Sequence, residues 1–323
     1  MNLHRRAFLG FAAGVATLPA LSRTGWAQSY PTRPARIIVG FPPGTSSDIC
    51  ARLIAQSLSE RLGQQFVVEN RAGAGTNIAA ETVVQAAPDG YTLLWVTQTN
   101  AINGTLYTNL KFNFMHDIAP VAGVITVPTV MMVNPAVPAK TLPEFIAYAK
   151  ANPGKINMSS PGIGSVNHVL GELFQMMTGT KLTHVPYKGS QFPDLLSGQV
   201  QVTFNPLPSS MAFIKEGKLR ALAVTSATRP TVLPDVPTVG ETVPGYEGSA
   251  WFGIGAPKNT PKEVADKLNS AINAGLADPK LKAKLEELGG VPMVVTPANF
   301  GKFIAAETEK WGKVVKFANL KVE

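Results

Sequence analysis

The sequence predicts an α/β protein built as two units, each a sheet of mostly parallel strands flanked by helices. Three observations predict it. Short β-rich runs alternate with stretches whose apolar residues recur at helical spacing, the rhythm of βαβ units. The rhythm lapses near residues 120–130 and then resumes, and 323 residues suit two medium units. Finally, 45% of residues are hydrophobic and only 15% charged, against about 25% charged in an average soluble domain, as expected for buried strands.

Residues 36–41 (RIIVGF) read as the first strand and 48–62 as the first helix. A strand over 65–68, a helix over 76–86 and a strand over 92–97 (TLLWVT) continue the first unit. After Thr129 come a strand near 130–133, a helix over 142–151, a strand over 156–159 and a helix over 165–178. Strands near 182–186 and 200–204, a helix over 209–216 and a strand over 219–226 follow. The tail reads as a strand over 251–256 and helices near 261–276, 280–288 and 297–317. With crossings near 120–130 and near 226, residues 28–126 and 227–323 form the first domain and 127–226 the second. A cleft between two such domains is a natural place for a small ligand.

Residues 1–27 stand apart from this pattern. Arg5-Arg6, the apolar run 8–21 and the ending Gly25-Trp26-Ala27 are the parts of a cleaved secretory signal. Cleavage after Ala27 leaves 296 residues and, with Arg5, Arg6 and Arg23 gone, takes the formal charge from +8 to +5. The run Arg5-Arg6-Ala7-Phe8-Leu9 resembles a twin-arginine leader, favoured here over an ordinary Sec signal. Gln28, not a cysteine, directly follows the cleavage site, so a lipoprotein anchor is not expected. Residues 118–139 carry no charge, but Pro120, Pro128, Pro135 and Pro138 make them buried strands with turns rather than a membrane span. The expected location is the periplasm.

Composition and motifs exclude several chemistries. A disordered chain would need low hydrophobicity and high charge, and a disulfide scaffold needs more than Cys50, which falls in the apolar rhythm of the first helix. The 29 glycines and 26 prolines speak against a coiled coil. His116, His168 and His184 show no metal-ligand spacing, and no P-loop or GxSxG elbow occurs. Gly73-Ala74-Gly75 and Gly162-Ile163-Gly164 lack the third glycine of a dinucleotide fingerprint. Ser165 and His168 read as a helix cap and a packed histidine, not a catalytic pair. The lysines scatter, with Lys280, Lys282, Lys284, Lys302, Lys310, Lys313 and Lys316 on exposed faces of the last helices, so nucleic acid is not an expected partner. No cofactor is expected.

What remains is three Gly-rich turns that run into helix starts: residues 41–48, 70–77 and 159–165. The first N–H groups of a helix lack intrahelical partners, and the dipole is positive there, so such turns attract anions. Simple capping by Ser, Thr, Asp or Asn accounts for many such turns. Two of them at strand ends in separate units could converge on one carboxylate when the units close.

Seven ordered motifs run along the chain: YPTRPARIIVGFPPG at 30–44, VENRAGAG at 68–75, PDGYTLL at 88–94, HVPYKGS at 184–190, GKLRALAVTS at 217–226, LPDVPT at 233–238 and WFGIGAP at 251–257. In these the chain resembles the Bug-type solute receptors of tripartite tricarboxylate transporters. The resemblance implies a two-domain Venus-flytrap fold like type II periplasmic binding proteins and a carboxylate held between two loops. The first loop corresponds to Pro43, Gly44, Thr45 and Ser46, with Asp48 capping its helix; the second corresponds to Ser160, Gly162, Gly164 and Ser165. Thr97, Gln98 and Thr99 line the cleft in that likeness. Three departures stand out: Thr45 replaces a second glycine, the segment after HVPYKG is short, and Asn205 replaces an aspartate. Asn205 at the cleft favours a plain carboxylate, dicarboxylate or aromatic acid over an amino acid. The implied partners are that ligand and membrane transporter subunits, with the receptor itself a monomer. A solute sensor presenting the ligand to a membrane kinase, or an exported hydrolase, are the alternatives.

Overall fold

The run ARIIV forms β1 (Ala35–Val39), whose Ile37, Ile38 and Val39 are fully buried one strand in from the edge of a six-stranded sheet. The structure is a computed structural model that describes residues 30–187 and 189–322; the leader reading for residues 1–27 lies outside them. α1 (Ser46–Leu62), β2 (Phe66–Asn70), α2 (Asn77–Val84) and β3 (Thr92–Thr97) complete two βαβ units, with β2 and β3 parallel to β1 on either side. α3 (Gln98–Leu106) and the short α4 (Phe114–Asp117) lead into β4 (Ile118–Val127). Pro128 then separates β4 from β5 (Thr129–Val133), where the chain enters a second, five-stranded sheet.

That second sheet gathers β6 (Asn157–Ser160), β7 (Thr183–Pro186), β8 (Val202–Pro206) and β9 (Arg220–Val224) around β5. Its helices are α5 (Leu142–Ala151), α6 (Val166–Thr178), α7 (Phe192–Ser197) and α8 (Leu207–Lys215). Next in the chain is α9 (Val239–Thr242), and β10 (Ala250–Pro257) returns to the first sheet between β3 and β4. The chain ends with α10 (Lys262–Leu276), α11 (Pro279–Glu287), β11 (Val291–Pro292) and α12 (Pro297–Phe317).

The α/β architecture agrees with the sequence reading, but the sheets are mixed rather than mostly parallel. β10 runs antiparallel to both β3 and β4, and β5 runs antiparallel to both β8 and β9. A parallel neighbour needs a crossover within its own sheet. These strands are the ones reached by passing between sheets, so that constraint does not act on them. Residues 118–133 are buried strands, as their prolines require, and no helix among the described residues is long and apolar enough to cross a membrane. Residues 227–249, assigned by sequence to the first unit, pack on the second sheet. Thr238 bridges Val224, and Val239, Val243 and Tyr246 are buried in the core there. The segment has no periodic apolar pattern from which that allegiance could be read.

Apolar faces of α1 and α10 cover one side of the first sheet, while α2 and α12 cover the other. The second sheet is covered by α5 and α6 on one side and by α7 and α8 on the other. α12 serves both cores: Phe300 and Ile304 pack with Trp251, whereas Trp311, Val314 and Val315 join the core of the second sheet.

Candidate functional site

The β1–α1 turn is shaped by its own hydrogen bonds. Thr45 caps α1: its Oγ1 accepts the Asp48 N–H at 3.3 Å and donates to the Pro42 carbonyl at 3.0 Å. Asp48 is buried and reaches back, Oδ2 accepting the Gly44 N–H at 2.9 Å and Arg52 Nε at 3.0 Å, Oδ1 accepting Asn70 Nδ2 at 2.8 Å. Burial pulls this carboxyl upward, but the hydrogen bonds from Arg52, Gly44 and Asn70 outweigh it and hold the carboxyl below its ordinary range. Asp48 is therefore turned into the protein, bracing the turn. The cap is Thr45, one correction to the expected role of Asp48. At the mouth of the helix the N–H groups of Ser46 and Ser47 have no intrahelical partner, and the buried Ser47 hydroxyl has no partner at all.

The facing loop leads into α6. Ser165 caps this helix, its Oγ accepting the His168 N–H at 3.3 Å and donating to the Gly162 carbonyl at 2.7 Å. Ser165 is thus a cap and His168 a buried packing residue, as the spacing suggested. Gly162 and Gly164 have φ of 138° and 75°, a region that favours glycine. A Cβ on Gly164 would overlap Leu106 of α3, so this glycine also permits the two sheets' elements to approach.

Three further helices open onto the same space. Thr97 and Asn100 form a capping box at the start of α3, with Asn100 Oδ1 accepting the Thr97 N–H at 2.8 Å. Thr76 precedes α2 with φ of 75° and is held by Asn100 Nδ2 at 3.0 Å. At α8, Asn205 Nδ2 donates to Ser209 Oγ at 2.8 Å, while its Oδ1 accepts Asn167 Nδ2 at 2.9 Å and Gln191 Nε2 at 3.1 Å.

Together these elements enclose a cavity of about 710 Å³. Five helices, α1, α2, α3, α6 and α8, begin at its wall. Among the described residues that line it, none carries a formal charge. An anion there would meet helix N-termini, hydroxyls and amides, with Phe41, Tyr107, Ile163, Val166 and Phe252 against its apolar parts.

Of the residues singled out by sequence, the structure brings Thr45, Ser46, Thr97, Gln98, Thr99, Gly162, Gly164, Ser165 and Asn205 to this wall. Pro43, Gly44 and Ser160 do not reach it. Pro43 and Gly44 face solvent on the outside of the turn, and Ser160 is fully buried behind its loop. Gln98 is buried and, in the orientation that satisfies both ends of its amide, donates to the Ser249 carbonyl and shares with Glu307 the single N–H of the Trp311 indole. The wall residues Ser47, Asn103, Tyr107, Asn167, Trp251 and Phe252 were not singled out by sequence. Ser47 follows Ser46 at a cap and was within reach of the helix-terminus argument; the others carry no local signal. The 70–77 turn also lies at the wall, through Ala72, Gly73, Gly75 and Thr76.

Comparison with known proteins identifies the family. Residues 50–320 match the model of the tripartite tricarboxylate transporter family receptor. The chain belongs to that family. It is 38% identical over 302 residues to protein BugT of Bordetella pertussis, covering 92% of this chain and 93% of BugT. Among solved structures it resembles R. palustris Rpa4515 with adipate, at 38% identity and TM-score 0.79, over 90% of this chain and 99% of that one. It also resembles periplasmic binding protein BugD, at 34% identity and TM-score 0.76, over 91% of this chain and 100% of that one. This receptor is accordingly a periplasmic solute-binding protein of that family, with the fold of its solved relatives.

Proposed function

We propose that the receptor captures a small organic carboxylate in the cleft between its two sheets and delivers it to membrane subunits of a tripartite transporter. The observation that carries the reading is the convergence of five helix N-termini on a cavity whose described lining has no charged side chain. Helix N-termini and uncharged donors favour an anion, and nothing in that lining would repel one. Adipate, a dicarboxylate, occupies the similar Rpa4515 protein, which supports the same ligand class. The two sheets act as lobes that close on the ligand, the chain crossing between them at Pro128 and again where Ser249 leads into β10, and the working unit is a monomer. The twin-arginine route fits the leader motif.

A thermal-shift screen of the protein without residues 1–27 tests the ligand class. A ligand at 100 times its Kd stabilises the native state by about 2.7 kcal/mol, so adipate or a related carboxylate should raise the unfolding midpoint while the matching diamide does not. Equal shifts with both, or shifts only with neutral solutes, would reject the reading. In the double variant Thr45→Val with Ser165→Ala, both caps are lost and the carboxylate shift should shrink.

A further inference from the structure

Behind the second loop, and outside the cleft lining, the rings of His168 and His184 stack with centroids 3.6 Å apart and planes inclined by 10°. His168 is almost wholly buried at 2% exposure, and His184 is half-buried on β7, the edge strand of the second sheet. Each ring holds one end of the loop. His168 Nδ1 accepts the Gly164 N–H at 3.2 Å, and since a backbone N–H only donates, that nitrogen carries no proton. Its remaining proton sits on Nε2, 3.3 Å from Glu172 Oε1 one turn along α6.

His184 Nε2 lies 2.6 Å from Ser160 Oγ. That hydroxyl accepts the Gly162 N–H at 3.1 Å. The Gly162 carbonyl already receives both the N–H and the hydroxyl of Ser165, at 3.2 and 2.7 Å. Ser160 Oγ also lies 3.1 Å from that carbonyl, but the carbonyl is already taken and the contact to His184 Nε2 is shorter at 2.6 Å; the Ser160 proton is therefore best directed to His184 Nε2, which then also carries no proton. The loop between Ser160 and Gly164 is thus fastened at both ends by unprotonated ring nitrogens.

We propose that the His168–His184 stack is the positioning device of the second loop: in its neutral form it fixes Ser160 and Gly164, presents the N-terminus of α6 to the cleft, and so sets affinity for an anionic ligand. The inference rests on reading the cleft as an anion site. Protonating His168 would set an Nδ1–H against the Gly164 N–H, and protonating His184 would remove the acceptor of the Ser160 hydroxyl. Two charged rings at this separation would also repel. Among the described residues, the titratable groups facing the pair are each other and Glu172 from α6; from β6, Ser160 contributes only a hydroxyl. Burial, and after it the neighbouring His168, pushes His184 down to about 4. Its neutral form is therefore native at neutral pH, and the grip is lost as the pH falls through about 4.

Two variants separate positioning from simple packing. His168→Asn and His184→Gln each leave an amide oxygen near the fastening nitrogen and cannot titrate. His168→Leu and His184→Phe keep apolar bulk but remove the acceptor. In unliganded protein labelled at histidine nitrogen, NMR should show unprotonated His168 Nδ1 and His184 Nε2 at pH 7. The Gly164 amide should exchange slowly in wild type and His168→Asn, and at least tenfold faster in His168→Leu, as expected for a lost hydrogen bond. A protonated His168 Nδ1, or equal Gly164 exchange in all three, overturns the proposal.

With adipate as probe, calorimetry at pH 7 should give about tenfold weaker binding for His184→Phe than for wild type or His184→Gln. On acidification wild type should lose affinity faster than His184→Gln, a comparison in which the protonation of adipate itself cancels. Parallel pH profiles would overturn the link to affinity. If adipate fails to bind wild type at pH 7, that failure falls on adipate as a ligand of this cleft, and Gly164 exchange still decides whether the histidines hold the loop.

Discussion

A buried aspartate beside the proposed anion site would weaken it unless its charge were engaged, and that of Asp48 is. Its two oxygens take Gly44, Arg52 and Asn70, and its folded pKa lies below the ordinary 3.8. A lowered carboxylate pKa stabilises the fold above the unfolded value and loses that contribution as pH falls through the folded one. Asp48→Asn should therefore lower stability by ~1–3 kcal/mol at pH 7, the range for hydrogen bonds to charged groups, with a smaller difference from wild type at pH 2–3. Urea unfolding at the two pH values measures this. The sequence made Asp48 legible as a residue turned away from ligand, because a carboxylate would repel an anion. That Thr45 is the cap, and that Asp48 reaches back to Gly44, depends on turn geometry that residue identities leave open.

At the scale of elements, the helix starts at α1 and α6 were readable because glycine, then Ser or Thr, precedes an apolar periodic run. α3 was not readable as a helix. Its buried residues mix Ala101, Ile102 and Leu106 with Gln98, Asn100 and Asn103, Asn100 bonded to Thr76 and Asn103 to the Gly75 carbonyl and to Asn77. A search for an apolar stripe misses a helix that buries amides. α12 shows the reverse case. Its stripe is clear in the sequence, yet Glu307 sits on the buried face, accepting the indole N–H groups of Trp251 and Trp311 at 2.8 Å each and pairing with Lys310. Lys310 is thus half-buried in an ion pair, not on the solvated face expected of it. Removing one partner of a buried pair costs about 3–5 kcal/mol, so Glu307→Ala should be destabilised by that order. Glu307→Gln, which keeps an acceptor for the indoles, should lose less, as a chemical-denaturation series would show.

Over the whole molecule, α12 ties the two sheets together. Phe300 and Ile304 belong to one core and Trp311, Val314 and Val315 to the other. Two lobes sharing one helix should unfold together, so tryptophan fluorescence and far-ultraviolet circular dichroism should report one coincident transition. Trp311→Ala, at a fully buried position, should lower the stability of that transition by ~3–5 kcal/mol. Separate transitions in wild type would show that the shared helix does not couple the lobes.

The sequence by itself determined the α/β class, the two-sheet division, the family and the glycine–hydroxyl turns at the starts of α1 and α6. Each of these is written in local pattern: apolar period, turn chemistry and ordered motifs. Only the tertiary structure decided that the sheets are mixed, that residues 227–249 pack with the second sheet, and that α3 and α8 open onto the same cleft. It also brought His168 and His184 into a stack behind Ser160 and Gly164. These are contacts between residues far apart in the chain. No local propensity encodes them, because they arise when strands that cross between sheets bring distant helix ends together.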